Sequence, residues 1–95
     1  MLEASIEKYL IGVVKKYQGI SLKLVPFGLK GIPDRLIVLP GPRIIFCELK
    51  RPEGGRYSPH QIEWRRRLTA LGCEWAGVKT KAEVDALIGG TPNEQ

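Results

Sequence analysis

The stretch GIPDRLIVLPGPRIIFCELK, residues 31–50, decides the reading of this chain. Two runs, Asp34 to Leu39 and Arg43 to Leu49, are dense in Ile, Val, Leu and Phe, side chains that fit a pleated, buried surface. Between them Pro40-Gly41-Pro42 breaks any regular structure. The spacing predicts two antiparallel strands joined by a tight turn. In that arrangement the beginning of the first strand lies beside the end of the second. Asp34 therefore approaches Glu48 at one edge of the sheet. Lys50 lies two residues beyond Glu48, so both side chains leave the same face.

Outward from this hairpin, Leu2, Ile6, Leu10, Val13 and Tyr17 recur at helical spacing, predicting a helix over 2–18 with Gly19 as its stop. Residues 20–26 alternate loosely as a strand, and 27–33, with two glycines and a proline, form a loop. After a polar, glycine-bearing loop over 51–57, Ser58 caps a helix with Pro59 at its first position and Gln61 at its third. That helix runs to about Leu71 and stops at Gly72. A short strand follows over 73–78. Thr80 and Glu83 then box the start of a last helix through Val84, Leu87 and Ile88, closed by Gly89-Gly90. The order helix, three strands, helix, strand, helix predicts an α/β fold, a mixed sheet flanked by helices. The crossover helix makes its two flanking strands parallel. One domain over 1–90 is expected, with 91–95 a frayed tail.

Composition bounds the function. With 43% hydrophobic and 26% charged residues the chain has enough apolar material for a folded core, which sets it apart from disordered chains. No apolar run approaches the length of a membrane span, and the N-terminus, with Glu3 and Glu7 early, lacks a signal layout. A soluble protein of the cytoplasm is expected. Two cysteines, Cys47 and Cys73, are too few for a disulfide scaffold and read as reduced, buried thiols. A single histidine beside them argues against structural zinc. The net charge of +5 points to a polyanionic partner.

Two adjacent carboxylates repel, and a shared cation relieves the repulsion. Hard oxygen donors select Mg²⁺ or Mn²⁺ over zinc. Such an ion polarises a phosphate and acidifies a bound water, and the Lys50 ammonium would hold that water or stabilise charge on the phosphate. Taken alone, the acid-x-lysine triplet reads better as a strand-end ion pair worth under about 1 kcal/mol. The full constellation reverses this.

Gly31-Ile32-Pro33-Asp34-Arg35, the hairpin, Phe46-Cys47-Glu48-Leu49-Lys50 and Ser58-Pro59-His60-Gln61, with Ile6-Glu7 upstream, together resemble the PD-(D/E)XK nuclease superfamily. More narrowly, they are similar to the small stand-alone form of the VRR-NUC (viral-type replication-repair nuclease) family. The likeness spans nearly the whole chain. It implies a restriction-endonuclease-like fold, Asp34 and Glu48 as metal ligands with the backbone carbonyl of Leu49 as a third, a catalytic Lys50, and products bearing a 5′-phosphate. It also places a glutamine near the catalytic lysine, which Gln61 matches. Relatives often add an acid from the first helix to the metal site; Glu7 fits that position better, with Glu3 as the fallback.

Gln61 also has a local reading, as the back-bonding member of its capping box. Yet it heads a helical stripe with Trp64, Leu68 and Leu71, which directs it toward the sheet. His60, Glu63, Glu74, Glu83 and Asp85 are set aside as surface or capping residues. Lys30, Arg35, Arg51, Arg56 and Arg65 surround the acidic pair as phosphate-tracking cations. The expectation is a Mg²⁺- or Mn²⁺-dependent DNA endonuclease, selective for DNA structure and directed at branched DNA such as a four-way junction. It would act as a homodimer, in a bacterial or phage-infected cell, with the source left open between a phage and a bacterium. The alternatives are a non-cutting DNA-binding module on a nuclease fold and a site-specific restriction endonuclease. The second lacks, in 95 residues, an added recognition domain.

Overall fold

The structure, a computed structural model, describes residues 3–51 and 54–89. The expected helix start at Leu2, the glycine at 90 and the tail over 91–95 lie outside them. The elements run α1 (Glu3–Lys16), β1 (Ile20–Lys23), β2 (Arg35–Leu39), β3 (Arg43–Leu49), α2 (Pro59–Ala70), β4 (Glu74–Val78) and α3 (Lys81–Gly89). This is the predicted order. The sheet is β1-β2-β3-β4, antiparallel across the first two pairs and parallel between β3 and β4.

Alternation along the strands sorts residues onto two faces. Ile37, Leu39, Ile45, Cys47, Leu49 and Val78 form one face, fully buried under Ile6, Leu10 and Val14 of α1 and Val84 and Ile88 of α3. Each such aliphatic side chain contributes about 2 kcal/mol by leaving water, so this face holds the molecule together. The opposite face carries Leu22, Leu36, Phe46 and Trp75 in register across all four strands. Among the described residues, α2 covers it toward β4. Ile20, Leu22 and Ile44 on it remain about half exposed.

Three boundaries differ from expectation for local reasons. The helix α1 ends through Gln18, in the left-handed region at φ 65°. Gly19 serves a different purpose: a Cβ there would lie 2.6 Å from the Val38 carbonyl oxygen. It is the close approach of the helix exit to β2 that needs glycine. The strand β1 stops at Lys23, opposite Arg35, where β2 begins; one further bond, from the Leu24 N–H to the Asp34 carbonyl oxygen, closes the pair. Cys73 stays outside β4, since its N–H closes the C-terminal turn of α2 on the Leu68 carbonyl at 3.0 Å. Leu71, expected to pack with Leu68, is the C-cap of α2 and is 81% exposed.

Candidate active site

Asp34 stands one residue before β2. In the β2–β3 pairing Arg35 faces Cys47, and continuing that register one step sets Asp34 across from Glu48. The Asp34 backbone carbonyl accepts the Leu24 N–H at 2.9 Å, closing the neck of the 24–34 loop. Its carboxylate Oδ2 accepts the Leu49 N–H at 2.8 Å, tying Asp34 to the neighbouring strand. The sequence Gly31-Ile32-Pro33-Asp34 acquires a physical meaning here. Gly31 has φ +86°, and a Cβ on it would lie 2.5 Å from His60 Cβ and 2.8 Å from the Gln61 nitrogen. The loop that presents Asp34 thus rests directly on the first turn of α2.

Glu48 is 2% exposed. Burial pushes its carboxyl up to about 8; the Asp34 charge and a hydrogen bond with Asp34 act in the same sense, Lys50 opposes them, and Glu3 adds a small upward push. Gln61 fulfils both of its readings at once. Its Nε2 donates to Glu48 Oε2 at 2.7 Å, while its Oε1 accepts the Ser58 N–H at 2.8 Å and Ser58 Oγ accepts the Gln61 N–H at 3.2 Å. The capping box holds the amide so that its free end reaches the buried acid. Asp34 Oδ2 takes the Leu49 bond and Glu48 Oε2 the Gln61 bond, and the two carboxyls also hydrogen-bond to each other.

Lys50, half-buried, carries its ammonium 5.3 Å from the ring centroid of Tyr57. Gly55 lies directly against Arg51, where a Cβ would come 2.6 Å from the Arg51 carbonyl oxygen. The chain then delivers Tyr57 to Gly77, the register partner of Glu48 on β4. Any side chain at 77 would overlap the Tyr57 hydroxyl. Tyr57 meets Trp75 edge-on at 5.7 Å, and Arg65 lies 4.7 Å over the Trp75 ring. Burial, and next the Glu48 charge, raise the Tyr57 phenol above its ordinary value.

Asp34, Glu48, Lys50 and Gln61 are therefore brought together, while two expected members are not. Arg35 follows Asp34 in sequence, but strand alternation sends it to the other face of the sheet, where it is 8% exposed. Its guanidinium donates to Ser21 Oγ at 2.7 Å, to the Ser21 carbonyl at 3.2 Å and to Glu7 Oε2 at 2.6 Å. The expectation of a phosphate contact at Arg35 is corrected to a structural tie between α1, β1 and β2. Glu7, expected to join the metal site, is the acid of that tie. The first-helix acid whose charge reaches Glu48 is Glu3, the fallback. Among the described residues no cluster of three or more His, Cys, Asp or Glu converges. Arg35→Ala is expected to cost about 2 kcal/mol of stability by stranding Glu7 and Ser21. The salt dependence of DNA binding should not change. A flattened salt dependence at unchanged melting temperature would restore the phosphate role.

Lys30, Arg51, Arg56 and Arg65 stay exposed. The Lys30 backbone carbonyl accepts Trp64 Nε1–H at 3.1 Å, which docks the loop on α2. The acids set aside earlier have structural partners: Glu63 pairs with Arg66, Glu74 with Arg43, Asp85 accepts from Tyr9, and Glu83 completes the cap of α3. Cys47 and Cys73 are free thiols, Cys47 buried and Cys73 half-buried; burial pushes the Cys47 thiol up to about 12, leaving it inert. The residues missed in the sequence are Tyr57, Trp75 and Gly77. A glycine inside a strand, flanked by Trp75-Ala76 and Val78, was the available signal of a close approach.

No family model matches the chain. It is 49% identical over 70 residues, 74% of each protein, to "Putative nuclease p44" of Acyrthosiphon pisum secondary endosymbiont phage 1. It also superposes on a solved VRR_NUC domain with a TM-score of 0.85 and 32% identity, over 92% of this chain and 94% of the other. With the order of elements, the fold and the two likenesses in agreement, the chain belongs to the VRR-NUC family.

Proposed function

We propose that this protein is a Mg²⁺- or Mn²⁺-dependent DNA endonuclease that cuts branched DNA, foremost four-way junctions. The observation that carries the reading is the placement of Asp34 opposite a buried Glu48, with Gln61 bonded to Glu48 and Lys50 beside it. A divalent ion suits the chemistry of these donors. Both are hard oxygen donors paired with each other across the strands, and a buried carboxyl pushed up to about 8 is one whose negative charge lacks compensation. Asp34 and Glu48 would hold the ion, with the Leu49 backbone carbonyl as a third ligand. When bound, it would supply Lewis acidity toward the scissile phosphate and lower the pKa of a coordinated water.

The chain's own groups do the rest. Gln61 Nε2 orients Glu48 by donating to one oxygen and so leaves the other in a fixed direction. The Leu49 N–H does the same for Asp34. Lys50 Nζ donates a hydrogen bond to the attacking water or to a non-bridging phosphate oxygen as charge develops. In-line attack by the water oxygen forms a new P–O bond and breaks the bond from phosphorus to O3′; the water gives up a proton to solvent and O3′ takes one from it, leaving a 3′-hydroxyl and a 5′-phosphate.

Lys30, Arg51, Arg56 and Arg65 would track the backbone. A junction needs two opposed cuts, and a two-fold homodimer supplies two such sites. The apolar residues Ile20, Leu22 and Ile44 on the open sheet face, and Val25, Phe27 and Leu29 in the loop, support self-association. Phe27 alone is 88% exposed.

The test is cleavage of labelled linear duplexes, flaps and four-way junctions in Mg²⁺, Mn²⁺, Ca²⁺ or chelator, with sedimentation at the same concentrations. Junction cleavage by a dimer, in Mg²⁺ or Mn²⁺ alone, is the expected outcome. Cutting in excess chelator would end the metal-dependent reading; a monomer preferring linear duplex would end the junction reading. Replacing Arg51 and Arg56 together should lower the salt slope of binding by roughly 1–2, since each neutralised phosphate contributes about 0.9. An unchanged slope would move the DNA track off this loop.

A further inference from the structure

We propose that Tyr57 is a positioning residue for Lys50: its ring holds the lysine ammonium beside the acidic pair but out of an ion pair with it, and Gly77 leaves the room that seats that ring. The inference rests on the reading of Lys50 given above. Four observations carry it. The Lys50 Nζ lies 5.3 Å from the Tyr57 ring centroid, inside the range where a cation is drawn to an aromatic ring. The phenol is fixed from two directions, edge-on by Trp75 at 5.7 Å and from below by the strand at residue 77.

Gly77 is the third observation. Within β4 it occupies the position in register with Glu48, on the face that carries Trp75. A glycine in the middle of a strand forfeits both packing and strand propensity. What it gains here is room, because any Cβ would overlap the Tyr57 hydroxyl and displace the ring. Fourth, the loop joining Lys50 to Tyr57 closes through Gly55, where a Cβ would lie 2.9 Å from the Arg51 nitrogen and 3.1 Å from Lys50 Cβ. Gly55 thus lets the chain leading to Tyr57 lie directly against Arg51 and Lys50.

The arrangement solves a particular problem. A lysine beside two carboxylates has two competing uses: to neutralise them as an ion pair, or to stay available for water and phosphate. No Lys50 ion pair with Asp34 or Glu48 is formed among the described residues, and the ammonium rests instead on the aromatic ring. A ring attracts the cation without supplying a hydrogen-bond acceptor in the plane of the carboxylates. Lys50 therefore stays close to the acids and uncommitted to them.

The experiment uses the full chain cutting a four-way junction in Mn²⁺, with kcat, KM, melting temperature and Mn²⁺ affinity recorded for each variant. Tyr57→Leu is expected to lower kcat about 10-fold with KM and Mn²⁺ affinity unchanged. Tyr57→Phe, which keeps the ring, should recover most of that loss, and Gly77→Ala should reproduce the Leu phenotype. A series of progressively fluorinated phenylalanines at 57 keeps the volume and weakens the ring's attraction for a cation, so kcat should fall stepwise at constant melting temperature. A flat kcat across that series overturns the proposal, as does a Tyr57→Leu loss that appears in KM or Mn²⁺ affinity instead of kcat. Lys50→Ala in the same assay separates the two readings. If it cuts at the wild-type rate, the assignment of Lys50 fails; if it is inactive while the fluorinated series is flat, only the role of Tyr57 fails.

Discussion

Lys50→Ala is expected to cut DNA at least about 10²–10³-fold more slowly than the wild type, the usual loss when one preorganised donor to the transition state is removed. Junction binding and the melting temperature should change little. Lys50 is half-buried at the end of β3, makes no ion pair among the described residues and contributes nothing to the face packed beneath α1 and α3. Glu48→Ala is expected to abolish cleavage as well, through loss of a ligand, and it strands the Gln61 amide that donates to Glu48 Oε2. The two variants should differ in one respect: Lys50→Ala retains Mn²⁺ affinity and Glu48→Ala does not. Gel-based cleavage with a binding assay and calorimetric Mn²⁺ titration checks both. Wild-type cutting by either variant would remove the site from this edge of the sheet.

The second large effect concerns stability and pH in the absence of divalent ions. Folding raises the Glu48 carboxyl from an ordinary 4.5 to about 8, burial being the main cause. Between those values the folded chain therefore holds a proton that the unfolded chain has released. Stability falls wherever the folded state binds more protons as pH rises. The contribution is intact below about pH 4.5, is lost progressively as pH climbs through 8, and then levels off. The loss is at most about 5 kcal/mol, or roughly 20 °C in melting temperature for a chain of this length. Glu48→Gln keeps the shape without the titration, so its melting temperature should be higher than the wild type's at pH 8 and similar near pH 5. Adding Mg²⁺ or Mn²⁺ should recover most of the wild-type loss at pH 8 and do little for Glu48→Gln, since ligands bind deprotonated. Parallel melting curves for the two proteins across this range would contradict the burial of a strained carboxyl at this position.

Much of this site was legible because its geometry is local. The antiparallel β2–β3 pair is encoded by Pro40-Gly41-Pro42 and two apolar runs, and an antiparallel hairpin fixes which residues face one another. Asp34 and Glu48 therefore converge by register, with no long-range folding information needed. Gln61 was legible through its capping box, a four-residue pattern. What stayed hidden depends on residues distant in sequence. The side of the sheet on which Arg35 ends is set by strand parity, readable from Ile37 and Leu39, but its engagement by Ser21 and Glu7 needs α1 and β1 docked. Choosing between Glu3 and Glu7 turns on one helical turn and on where α1 crosses the sheet, which periodicity leaves open. Tyr57 meets Gly77 only after a loop, a helix and a strand have been placed, so no spacing rule reveals it.

Mn²⁺ titration of the isotopically labelled protein, followed by NMR, tests the central claim most directly, because a paramagnetic ion broadens the amides nearest to it. The expected result is that Asp34, Glu48, Leu49 and Lys50 broaden first and together at substoichiometric Mn²⁺, with Gln61 and Gly77 next. Excess Mg²⁺ should reverse the broadening, and Glu48→Gln should abolish it. Broadening centred elsewhere, or broadening at this edge that survives Glu48→Gln unchanged, would contradict the assignment of Asp34 and Glu48 as the metal-holding pair of a nuclease.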